Sequence, residues 1–139
     1  MPQATPVLQS PRRLAGALGD LFRAQQERAE SLLDILRQER EALNRGDLSA
    51  IEETASTKIS ALAELEELKA REARLLAGLP FGDSDTPLEQ ALGWCDADGS
   101  LRVRCDEVIE LMMACDRHNK RNGLLVQHRL NYVRRAIDV

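Results

Sequence analysis

Apolar residues recur along most of this chain at steps of three, four or seven, the spacing that lines one face of an α-helix. From Leu14 to Arg45 the row is Leu14, Leu18, Leu21, Gln25, Ala29, Leu32, Leu36 and Leu43. About 32 helical residues would span roughly 48 Å. Gly46 then suits the left-handed turn that ends a helix, and Asp47 is placed to accept hydrogen bonds from the first free amides of the next one. So short a connection makes the two helices antiparallel neighbours. The second helix, about Leu48 to Ala77, is expected to turn Leu48, Ile51, Ala55, Ile59, Leu62, Leu65 and Leu68 inward, with Glu52, Glu53, Glu64, Glu67 and Glu72 around them. Gly78 and Pro80 stop it, the glycine by tolerating positive φ and the proline by refusing to continue the helix.

Leu79 to Asp85 reads as a loop. Thr86-Pro87-Leu88-Glu89 then has an N-cap hydroxyl, proline at the first helical position and a glutamate placed for a capping box, so a short helix should run to about Gly93. Asp96-Ala97-Asp98-Gly99-Ser100 is a turn, and a third long helix runs from about Leu101 to the end. Its inner row is Val108, Met112, Cys115, Asn119, Asn122, Val126, Leu130, Val133 and Ile137. Two asparagines in an apolar line either fix the register and partner number of a pairing or face a wet bundle edge. The pattern is still periodic at Ile137-Asp138-Val139, so the natural protein is expected to continue. Pro2, Pro6 and Pro11 mark the start as a lead-in, giving a flexible segment over 1–13 and one helical domain over 14–139. The predicted fold is all-α: a long antiparallel helical hairpin, a short helix and a third long C-terminal helix in a coiled-coil-like bundle.

Composition sharpens this. With 139 residues there is enough chain for one core, and the abundance of Leu, Ala, Glu and Arg beside only one Trp, one Tyr and two Phe fits a bundle. The net charge of −4 gives the molecule as a whole no strong attraction to nucleic acid or an anionic membrane. No apolar run reaches about 18 residues and the start lacks the apolar segment of a signal peptide, so a cytoplasmic protein without stable membrane insertion is expected. Cys95, Cys105 and Cys115, odd in number and widely spaced, read as plain thiols in a reducing compartment.

Catalytic chemistry is poorly provided for. His118 and His128 lie about 80° apart around a helix and roughly 15 Å apart along it, so they cannot form a dyad. Cys115 and His118 have zinc-ligand spacing, but no second pair accompanies them. If Gly99 held the glycine position of a calcium loop, Trp94 and Cys105 would occupy its first and last ligand positions, so the match fails. No phosphate loop, nucleophile elbow or paired-carboxylate motif is present. We therefore expect no enzyme, cofactor, metal site or small-molecule substrate. Arg117, Lys120, Arg121, Arg129, Arg134 and Arg135 form a basic stretch with no acid among them. Without a recognisable nucleic-acid-binding motif it reads as a solvated face, or one complementary to the acidic second helix, and no nucleic acid is expected as partner.

The ordered features resemble one family: Glu41-Ala42-Leu43 before Gly46-Asp47, then Lys58, Leu62 and Leu65-Glu66, then Asn119-Lys120-Arg121-Asn122-Gly123-Leu124-Leu125. The chain is similar throughout to FlgN, the flagellar type III export chaperone, and the late N-x-x-N-G-L-L element is the most distinctive part. The resemblance implies a cytosolic chaperone that binds the hook-associated proteins FlgK and FlgL, keeps them unassembled and presents them to the flagellar export apparatus. It implies 101–139 as the client-binding helix. Site residues carried over by position are Asn119, Asn122, Gly123 and Leu125, and by helical face Val126, Leu130, Val133 and Ile137. Family members continue into a tail with a Tyr-Gly element associated with the export gate, for which Tyr132, inside the helix, is no substitute. The competing reading is a structural or regulatory coiled coil that self-associates.

Overall fold

A computed structural model describes residues 10–137, apart from the side chains of Arg129, Tyr132, Val133 and Ile137. The described residues form α1 (Pro11–Arg45), α2 (Leu48–Ala77), α3 (Pro87–Cys95) and α4 (Ser100–Ile137), with no strand among them. Residues 1–9, most of the expected lead-in, lie outside the described part. Helix α1 begins at Pro11, three residues before its expected start, because the proline ring holds φ near helical values where its missing N–H costs nothing.

The hairpin turn forms as its residues dictate. Gly46 takes φ 66°, its N–H and that of Asp47 donate to carbonyls of the last turn of α1, and Asp47 Oδ1 accepts from Ala50 N at 3.2 Å. The chain then returns antiparallel along α1. At the far end Leu88, Ala91 and Leu92 of α3 close the base over Leu14, Leu18, Phe22, Leu76 and Leu79. Fully burying apolar side chains of this size stabilises by about 1.5–3 kcal/mol each. Helix α4 starts beside this base and runs parallel to α1. Leu101 packs with Leu14 and Leu18, and further up Cys115 joins Leu32, Leu36, Ala61 and Leu65 in a second cluster. Helix α1 is thus the common spine: it packs along both α2 and α4, which scarcely touch each other.

Local details depart from the predicted ones. Glu89 does not complete a capping box and Thr86 makes no side-chain cap; Glu89 reaches across to Arg102, which donates to it through two nitrogens, Nη1 at 2.7 Å. An exposed glutamate gains more from a bidentate guanidinium than from one amide. Gly78 sits at φ −77°, an ordinary right-handed value, so its expected left-handed turn does not occur. The glycine the loop requires is Gly82, where a Cβ would lie 2.6 Å from the Ala77 carbonyl oxygen. Asp96 does more than form a turn: its two carboxylate oxygens accept from Leu101 N and Arg102 N, satisfying free amides at the start of α4. Helix α3 extends to Cys95 rather than Gly93.

The inward rows also shift. In α1 Phe22 is buried where Leu21 was expected to be, and Leu21 is only half-buried. In α2 the buried residues are Ala61, Leu65, Leu68 and Leu76, whereas Leu48 is exposed, Ile59 is 67% exposed and Leu62 lies at the edge. Lys58 and Ile59 are about 100° apart around the helix and cannot both face α1. A buried carboxylate on α1, Glu39, takes Lys58 as its partner, and Ile59 turns to solvent.

Two substitutions separate the two rows. Leu65→Asp removes a core leucine and buries a charge, and urea denaturation should show a loss of at least about 3 kcal/mol. Ile59→Asp should change stability by less than about 0.5 kcal/mol, as surface substitutions do.

Candidate functional site

Asn122 of α4 sits in a buried polar cluster that joins three helices, with Asn119 at its exposed rim. Asn122 is 1% exposed, and its Nδ2 donates to the Leu36 carbonyl at 2.8 Å and to Glu39 Oε1 at 2.9 Å. Glu39 also accepts from Lys58 Nζ, 2.9 Å from its Oε2, and Lys58 Nζ donates to Asn119 Oδ1 at 3.2 Å. One turn-set below, Cys115 Sγ donates to the Ala29 carbonyl at 3.3 Å, and burial pushes its thiol pKa up. Of the two readings of the asparagines, Asn122 fixes a register, and the pairing is α4 with α1 of the same chain. Asn119 lies at the rim of the same cluster.

This register determines what is left over. Cys115 with Ala29 and Asn122 with Leu36 are each separated by 86 positions. Carried to Arg45, the last residue of α1, the same separation reaches residue 131, so the final turns of α4 extend past the hairpin. Val126 and Leu130 lie level with Arg40 and Asn44, at the end of the spine, and are 40% and 47% exposed. Gly123 is exposed, with nothing within 4 Å of where a Cβ would stand, and Leu125 is half-buried. The side chains of Val133 and Ile137 lie outside the described residues. Met112, Asn119, Val126 and Val133 repeat every seven positions, as do Asp116, Gly123, Leu130 and Ile137, which is the seam pattern of helix pairing.

Sequence reasoning placed Val108 and Met112 in the inward row but missed Ile109 and Met113 in the lower part of this seam. Because α2 and α4 stand apart on either side of α1, a cleft of about 570 Å³ opens between them, lined by Leu88, Val108, Ile109, Met112 and Met113 with Lys69, Glu72 and Arg117 at its edges. A smaller one continues above it over Leu32, Leu36, Leu62, Leu65 and Met112 to Lys58 and Asn119. Ile109 and Met113 belong to no inward row, and their spacing of four was the available signal.

The acidic face of α2 does not meet the basic stretch of α4 among the described residues. Glu64 pairs with Arg28 of α1, and Glu67 with Arg71 and Arg74 of its own helix. Among the described residues no three His, Cys, Asp or Glu side chains group as metal ligands, and no helix is long and apolar enough to cross a membrane.

The polar cluster yields a prediction. Lys58→Met leaves the buried Glu39 carboxylate without its cation and should cost roughly 3 kcal/mol in urea denaturation, the low end for a broken buried pair because Lys58 is partly exposed. Replacing Glu39 and Lys58 together by apolar residues should cost less than the sum of the two single changes.

Comparison with known proteins accords with this architecture. The profile of the FlgN protein family matches residues 14–139, nearly the whole chain. No curated protein and no solved structure matches. Since the match takes in the hairpin, the base helix and all of α4, the chain belongs to the FlgN family of flagellar export chaperones.

Proposed function

We propose that this chain binds the hook-associated proteins FlgK and FlgL in the cytoplasm, keeps their polymerising terminal helices covered and delivers them to the flagellar export apparatus. Family membership supplies the role, and the observation that carries the site is the exposed apolar end of α4. Val126 and Leu130 stand where the spine gives out, and a guest helix laid along them would continue the heptad seam that α4 has begun. The α2–α4 cleft runs into this seam at Asn119, so one guest helix could engage both.

The candidate residues divide by role. Val126, Leu130 and the half-buried Leu125, with Val133 and Ile137 by helical position, form the apolar grip. Gly123 admits close approach of a guest backbone, and Asn119 is a polar contact at the edge. Asn122 acts indirectly, by holding α4 in the register that leaves the grip uncovered. A seam this narrow favours moderate affinity, because ordering a flexible guest consumes part of the interaction free energy. Release at the export apparatus requires that.

Exposure of Leu48 and Ile59 on α2 favours a second reading, self-association as a coiled-coil protein. Size-exclusion chromatography with and without C-terminal fragments of FlgK and FlgL separates the two. A closed dimer indifferent to these fragments would refute the chaperone reading.

Val126→Asp or Leu130→Asp should abolish capture of FlgK and FlgL C-terminal fragments while circular dichroism shows an unchanged helical fold. Retained capture with both variants would place the grip elsewhere.

A further inference from the structure

The apolar residues of α2 that miss the core form a stripe of their own, and it points toward the guest groove. Leu62 lines the upper cleft, and Ala55 and Leu48 lie seven and fourteen positions before it on the same face, with Ile51 and Ile59 beside them. This stripe is turned about 100° around α2 from the buried row that packs on α1. Its level is set by two contacts with α1, Lys58 with Glu39 and Glu72 with Gln25, whose residue numbers both add to 97. Ala55 is thus level with Ala42, and the offset of 86 between α1 and α4 carries that level to residue 128, between Val126 and Leu130. On the other side Asp116 of α4 lines both clefts, and Gly123 and Leu130 follow it at seven and fourteen positions. The stripe of α2 and the end of α4 are therefore two walls of one groove, and the α2 wall runs about 21 Å from Leu62 to Leu48.

We propose that α2 supplies the second wall of the guest site, and that the guest is an amphipathic helix with a broad apolar face bordered by Lys or Arg on the edge that meets α2. The proposal rests on the chaperone function inferred above and adds α2, and the charge of the guest, to a grip so far placed on α4. A helix seated between two walls must be apolar across both, a wider face than the narrow seam of a two-stranded coil. Charge decides its outer edge. From Leu48 to Leu68, α2 carries five glutamates and one cation, Lys58, which the buried Glu39 holds. Glu52 and Glu66 stand seven positions to either side of Ile59, in line with it, and among the described residues neither has a cation within ion-pair reach. A guest with acids on that edge would be repelled along the whole wall, whereas a basic edge meets Glu52 and Glu66 as the apolar face covers Ile59. Because only one edge of the guest can meet α2, the same charges choose the direction in which it lies.

The test is fluorescence anisotropy with labelled C-terminal fragments of FlgK and FlgL on the full chain, beside size-exclusion chromatography of the chain alone. Ile59→Asp, a change that leaves the fold intact, should weaken capture at least about tenfold, as loss of a central apolar contact does; Ile59→Ser serves if the aspartate disturbs folding. Glu52→Lys with Glu66→Lys should weaken capture further than Glu52→Gln with Glu66→Gln, and added salt should narrow that difference. Capture unchanged in Ile59→Asp but lost in Leu130→Asp overturns the α2 wall and leaves the grip on α4 standing. Capture that is unchanged or tighter on charge reversal overturns the basic edge. If Ile59→Asp turns a dimer into a monomer without altering capture, the stripe belongs to a second copy and the proposal fails. If neither fragment binds the unaltered chain, the chaperone function falls and this proposal with it.

Discussion

The amide of Asn122, donating to the Leu36 carbonyl and the Glu39 carboxylate, sets the register of α4 against α1, and most of what is distinctive about the molecule depends on that register. A buried amide that slid by one turn would lose both acceptors at a cost of a few kcal/mol, because water could not replace them. Leucine contacts are far more forgiving of a slip. The polar cluster therefore restricts the choice among alignments that apolar packing alone would leave open, and Lys58 extends it to α2 by neutralising Glu39.

With the register held, two features follow from length and connectivity. Helix α4 outruns its spine, which leaves Val126 and Leu130 at the boundary between packed and unpacked helix. A spine flanked by two helices that scarcely touch leaves an apolar cleft between them, which resembles a four-helix arrangement lacking one member. Both features offer surface to a guest helix, and in both the methionine or valine side chains remain partly hydrated until something covers them.

The element pattern was legible because periodicity, glycine and proline all point the same way along this chain. Helix α1, the Gly46-Asp47 turn and the beginning of α4 near Leu101 form close to their expected positions for local reasons. The rotation of α2 was not legible. Leu65 and Leu68 of the expected inward row are buried, but Leu48, Ile59 and Leu62 of the same row are exposed, and Lys58 turns to Glu39, a residue on another helix, instead. Asn122 was visible as a polar residue in an apolar line, but whether its partner lay in the same chain or in another depended on the length of α1 relative to α4. Glu89 shows the same limit: capping position is local, whereas Arg102 arrives from another helix.

The most direct test of the account is amide hydrogen exchange on the full chain with and without a C-terminal fragment of FlgK. If α4 stays anchored below Asn122 and grips above it, exchange should slow over residues 124–137 while 101–122 and α1 keep their protection. Loss of protection over 101–122 on binding, or unchanged exchange over 124–137 in a complex that has formed, would contradict it.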